Sequence, residues 1–160
     1  MVDYQELPTT SRVWIYQSNR AFSDAQTQEI EKKLHQFVAH WQSHGAAVKA
    51  WAGIRYNRFV IFVVDEAHEA PSGCSIDSSV AIIKEIEQAM EVNMFDRLNF
   101  AYKVDDSTVE SADREDFSVL YQSNKINDST IVFNNLVTTK ADLESKWEVA
   151  LGTSWHANMV

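Results

Sequence analysis

Six consecutive apolar residues, Phe59-Val60-Ile61-Phe62-Val63-Val64, lie between Arg58 and Asp65 and constrain this chain more than any other feature. Aromatic and β-branched side chains in an unbroken run of this length favour a strand, because they fit a pleated backbone. A strand that is apolar on both faces must be covered on both, so the run predicts a central position beneath two layers. It is far short of the roughly 20 residues a spanning helix requires. The chain around it has 160 residues and is 45% hydrophobic, enough for one core and one domain over residues 1–160.

The flanking sequence supplies the other elements. Val13 to Gln17 reads as a first strand. Ser23 and Gln26 have the spacing of a capping box, and Ile30, Leu34, Phe37, Val38 and Trp41 then form one helical stripe. Gly45 suits a left-handed stop to that helix. Val48 to Tyr56 predicts a second strand and Arg58 to Val64 a third, with Asn57 in the turn between them. A loop from Asp65 to Cys74 holds Pro71 and Gly73. A second helix from Ser75 carries Ile76, Val80, Ile83, Ile86 and Met90 on one face, and Leu98 to Val104 predicts a fourth strand. This order is βαββαβ, the split arrangement of ferredoxin-like folds. An acidic helix (Ala112 to Ser123), a strand (Thr130 to Val137) and a last helix capped by Thr139 and Asp142 extend it. The expected class is α+β: an antiparallel sheet with helices on one face, a ferredoxin-like core and a C-terminal α-β-α extension.

Charge and cysteine usage narrow the function. Lys and Arg total 14 against 23 Asp and Glu, a net charge of −9, the wrong sign for a phosphate-backbone footprint, so no nucleic-acid partner is expected. The segment Met1 to Pro8 carries acid where a signal peptide needs base, and no membrane span follows, which predicts a cytoplasmic protein. One cysteine excludes an internal disulfide and a cysteine-built zinc cage. The central strand ends in Asp65-Glu66, the shape of a Walker B strand. No G-x-x-x-x-G-K-[ST] sequence exists to cradle a nucleotide, so a P-loop ATPase is not expected.

Ser72 to Ser79 is the densest polar cluster and opens a predicted helix, where free N–H groups and the helix dipole favour an anion. Cys74 there is the candidate nucleophile, with Asp77, His68, His44 or His156 as its acid or base. Ser75, Ser78, Arg12, Arg20 and Arg97 are the candidate ligand contacts, and Arg55 and Arg58 also flank strands. The structural alternative makes Ser75 an N-cap, Asp77 a dipole partner, Cys74 a packing residue and the arginines separate surface ion pairs. His40 and His44 have metal-pair spacing but lack the Glu of H-E-x-x-H and a clear third ligand, so no metal is assigned, and no cofactor is specified. Asn134-Asn135 interrupts an apolar strand and marks a bulge, a strand end or a polar lining that needs partners. Trp51, beside Lys49 and Arg55, either stacks a ligand ring or packs against the C-terminal helices. Trp155-His156 forms an aromatic pair suited to docking on the body.

Several runs together resemble a known group of sequences. They are Leu7-Pro8, Ser11 to Ser18, Gly73 to Val80, Phe95-Asp96-Arg97, Thr130 to Val137 and Ser154-Trp155-His156. The chain resembles a small family of uncharacterised bacterial proteins sometimes labelled "ABC transporter ATPase". The resemblance implies a cytoplasmic single-domain protein and transfers no catalytic residues. The label is a misnomer for a chain without a Walker A loop. Two functions stay open: a protein or enzyme that takes a small anionic ligand at residues 73–79, and a non-catalytic interaction or assembly module, such as a homodimer formed through a sheet edge.

Overall fold

The computed structural model describes residues 1–67 and 73–160, with Cys74 described by its backbone alone. His68, Pro71, Ser72 and the Cys74 side chain therefore lie outside the described residues. Strands β1 (Arg12–Gln17), β4 (Ala50–Arg55) and β5 (Phe59–Val64) form an antiparallel sheet in the order β1-β5-β4. Arg12 faces Val64 and Gln17 faces Phe59 across one ladder, while Ala50 faces Val64 across the other. Every residue of β5 is at most 1% exposed, as the apolar run requires.

Helix α1 (Asp24–Ala39) begins with the reciprocal cap: Gln26 N–H donates to Ser23 Oγ at 3.1 Å, and Ser23 N–H donates to Gln26 Oε1 at 3.0 Å. Replacing Ser23 by Ala removes one of these bonds and should cost about 1 kcal/mol in urea denaturation. Ile30, Leu34 and Val38 of α1 join Ile83, Ile86 and Met90 of α2 (Gly73–Met90) over one face of the first sheet. Helix α2 starts at least two residues before the expected Ser75, and its buried line runs through Ser75 and Ser79, leaving Ile76 and Val80 half-buried. Small hydroxyl residues at its start allow close packing. Ser75 Oγ donates to Gln42 O at 2.7 Å, and Trp41 Nε1–H donates to Ser75 O at 3.0 Å.

α1 stops at Ala39, well before Gly45, because the chain reverses at once through a small hairpin of β2 (Gln42–Ser43) and β3 (Ala46–Ala47). His44 (φ 52) and Gly45 (φ 81) form its two-residue turn. His40 and His44 therefore do not share a helix face, which removes the basis for a metal pair.

The second sheet holds β6 (Asn99–Lys103), β7 (Val109–Asp113), β8 (Ile131–Phe133) and β9 (Glu148–Ala150) in the order β7-β6-β8-β9. The expected fourth strand, β6, thus pairs with β7 and β8, and not with β1. Phe59, Ile61 and Val63 meet Ala101, Val109, Phe133, Leu143 and Trp147 between the sheets. The far face of the second sheet is covered by α3 (Arg114–Gln122) and the C-terminal turns, through Phe100, Phe117, Ile126, Val132 and Leu151. The architecture is α+β in four layers, helix–sheet–sheet–helix. Helices α1 and α2 do lie on one face of the first sheet, as the sequence suggests, but the strands divide into two sheets, and the second covers the other side of β5.

Helix α4 (Lys140–Lys146) has the expected cap, with Asp142 N–H donating to Thr139 Oγ1 at 3.2 Å. It is short, since Trp147 turns inward and β9 follows. Likewise β7 occupies the start of the predicted acidic helix. Among the described residues no helix is long and apolar enough to cross a membrane.

Candidate functional site

The segment that joins β8 to α4 pairs with the start of β1 and parts from it further along. Val13 N–H donates to Thr138 O at 2.9 Å and Lys140 N–H to Ser11 O at 2.8 Å, so Arg12 and Thr139 face each other as an isolated bridge. Ser18 N–H donates to Arg58 O on the opposite side. Backbone groups of a strand alternate in direction, so the N–H and C=O of Val13, Ile15 and Gln17 point away from β5. Among the described residues, Ile15 N–H, Ile15 C=O and Gln17 N–H have no backbone partner. A cleft of about 360 Å3 opens along this edge.

Chain segments far apart in sequence line it: Arg12 to Gln17, Met94 to Arg97, Asn99 to Ala101, Asn135 to Thr138, and Trp155-His156. Four of the runs quoted above meet here. Its walls are mostly apolar, with Ile15, Phe100, Phe133 and Val137, while Phe95 and Leu136 are exposed at 40% and 64%. Arg12 stands 5.1 Å from the ring centre of Trp14, with Glu66 at 3.8 Å. Arg97 is exposed and pairs with no carboxylate among the described residues.

A polar ladder closes one end. Gln17 Nε2–H donates to Asn99 O at 2.8 Å, and Asn135 Nδ2–H donates to Gln17 Oε1 at 2.9 Å. Trp147 Nε1–H donates to Asn135 Oδ1, and Trp155 Nε1–H to Asn134 Oδ1, each at 2.9 Å. The paired asparagines thus end β8 and each receives an indole N–H, which explains two polar residues after an apolar strand. Trp155 stacks on His156 at 3.8 Å, and both rings pack edge-on against Phe100 at 5.7 and 5.6 Å, which docks the C-terminal segment on the second sheet. His156 is 1% exposed, with Nδ1 at 2.7 Å from Ser154 Oγ. Burial pushes its pKa down to about 4, so its ring is neutral at pH 7.

The expected site residues divide between this cleft and other places. Arg12 and Arg97 reach the cleft. Arg20 lies at the far end of α2, where it donates to Met90 O. An 18-residue helix separates it from Gly73, about 27 Å at 1.5 Å per residue. Arg55 covers the rings of Tyr4 and Trp147 at 5.3 and 5.9 Å. Arg58 is 3% exposed and bridges the sheets, donating to Ser18 O at 3.2 Å, Ser111 Oγ at 2.8 Å and Val109 O at 3.2 Å. Ser75 is buried, while Asp77 and Ser78 are exposed on α2, and none of the three lines the cleft. Asp65 accepts a bond from Ala67 N–H at 3.0 Å. Trp51 packs edge-on against Tyr4 at 5.1 Å and lies across Gly53, where a Cβ would stand 2.6 Å from its ring. Trp51 therefore packs, with Tyr4 near the N-terminus as its ring partner.

The contribution of Gln17, Asn99 and His156 to one site was not visible in the sequence, since each lies in a different element. The signal that pointed there was Asn134-Asn135. No protein-family model matches the chain, and no curated protein or solved structure is significantly similar to it.

Proposed function

We propose that this protein binds a small, largely apolar ligand carrying an anionic group, and that the cleft beside β1 is its site. The observation that carries this reading is the cleft itself: apolar walls with a few convergent polar groups, the usual make-up of a ligand pocket. Arg97, which pairs with no carboxylate among the described residues, supplies a guanidinium at its margin, and Arg12, 3.8 Å from Glu66, supplies a second. Residues 73–79 remain outside this proposal. The order β1-β5-β4 with two helices on one face matches three strands of a ferredoxin-like unit. We read the cleft as the place its fourth strand would occupy, beside the open edge of β1.

Anilinonaphthalene sulfonate, an apolar fluorophore with a sulfonate, tests this directly. Saturable binding of one equivalent is expected, weakened about fivefold or more by Arg97→Ala. Thr138→Trp, which fills the mouth from an exposed position, should abolish it, whereas Lys84→Ala on the outer face of α2 should not change it. Binding that ignores Arg97 and Thr138 but is lost in Ser78→Ala would move the site to the α2 start and overturn the proposal.

A further inference from the structure

We infer that the cleft takes its ligand as an extended peptide, added as a strand to the free edge of β1 with a carboxylate at Arg97; this rests on the cleft being the binding site. The first observation is the backbone. From Val13 C=O to Gln17 N–H the edge offers acceptor, donor, acceptor and donor at strand spacing, and β5 has already taken the intervening groups of Trp14 and Tyr16. A small rigid molecule satisfies one or two of these groups. An extended peptide of about three or four residues, at ~3.3 Å per residue, satisfies the whole row.

The second observation is how the edge begins. Thr138 to Lys140 already pair with Ser11 to Val13 in antiparallel fashion, and the chain turns away at Asn134 to Val137, where Val137 N–H donates to Asn134 O. The strand addition is therefore started by the protein's own chain and left incomplete over Ile15 and Gln17. The third is the margin. Phe95 and Leu136 present apolar surface to alternate side chains of a bound strand, and Arg97, lacking a carboxylate partner among the described residues, complements a negative end. Edge strands left open invite such pairing.

The experiment uses the full chain labelled with nitrogen-15 and a library of acetylated tetrapeptides built from Val, Thr, Phe and Glu, with free C-terminal carboxylates. In the free protein, the amides of Ile15 and Gln17 should exchange with solvent at least about a hundredfold faster than those of Trp14 and Tyr16, which sit in the ladder. The best-binding peptides should protect Ile15 and Gln17 selectively. N-methylation of such a peptide at alternate residues should cost about tenfold in one register and little in the other. Arg97→Ala should weaken the acid more than its C-terminal amide.

Slow exchange of Ile15 and Gln17 in the free chain would overturn the inference, as would N-methylation that has no effect in either register, or the absence of binding by every member at millimolar concentration. A dimer in light scattering whose assembly protects the same two amides would assign the edge to a second copy, and would overturn it too. If anilinonaphthalene sulfonate still occupies the cleft while these peptides do not, the site stands and only the peptide assignment falls. If neither binds, the site itself falls.

Discussion

Trp147→Ala will cost about 3–5 kcal/mol in urea denaturation, the range for removing a buried large aromatic side chain. Trp147 is 1% exposed and lies between the sheets, with its ring 5.0 Å from Phe59, 4.9 Å from Phe133 and 6.0 Å from Tyr56. Phe59 belongs to the first sheet and Phe133 to the second, so truncation opens a cavity where the layers meet. The indole also donates to Asn135, which in turn donates to Gln17. Trp147→Phe refills much of the volume but leaves Asn135 Oδ1 without its donor, and should cost about 1–3 kcal/mol. Asn135→Ala strands the indole N–H instead and should cost a similar amount. Because the two residues share one bond, the double variant Trp147→Phe/Asn135→Ala should be less destabilised than the sum of the two. A loss below about 1 kcal/mol for Trp147→Ala would mean that the sheets do not rely on this contact. Additive single losses would mean that the ladder of Gln17, Asn135 and Trp147 is not one unit.

What the sequence reveals is governed by how local the cause is. The β5 run, the Ser23–Gln26 box, the Thr139–Asp142 cap and the Asn57 turn depend on neighbours within a few residues, and the structure has each of them. The sequence places the stop of α1 too late, because Trp41 follows the helical stripe while sitting beyond the helix, buried against Phe62 from a reversing chain. Strand β6 was legible as a strand, but its partner was not, since pairing is set by which surface covers β5 from the second side. Strand β9 has three residues, too few for a periodic signal.

The site was harder still. A helix start with Cys74 and Asp77 is a local pattern, whereas the cleft is formed by pieces of β1, β6, the turn after β8 and the C-terminal segment. Arginine shows the difference best. Five arginines flank predicted strands and look alike in sequence, yet Arg58 is consumed between the sheets, Arg20 by the end of α2 and Arg55 by aromatic faces. Only the tertiary structure separates these from Arg12 and Arg97.

Acidification from pH 7 to pH 4 will remove about 3 kcal/mol of stability through His156 alone. Its pKa is about 4 in the folded protein and near 6.5 when unfolded. The cause is burial: the ring lies against Trp155, Phe100 and Phe117, with Ser154 as its polar neighbour. A depressed pKa means that the unfolded chain takes up a proton before the folded one does. The contribution is therefore complete above about pH 6.5, declines as the pH falls, and is lost at about pH 4. At 1.36 kcal/mol per pH unit, the interval amounts to about 3 kcal/mol. His156→Gln, which cannot titrate, should be less stable at pH 7 yet show a shallower decline, and the difference between the two urea-stability profiles isolates this residue from the carboxylates that both share. Parallel profiles would refute the assignment. The same neutrality bears on the cleft, where a neutral imidazole contributes no positive charge at pH 5 to 8. Attraction for an anion must then come from the guanidinium groups of Arg12 and Arg97. Binding of anilinonaphthalene sulfonate should accordingly be flat from pH 8 to 5, and a rise in affinity with a midpoint near pH 6.5 would place a charged His156 in the site after all.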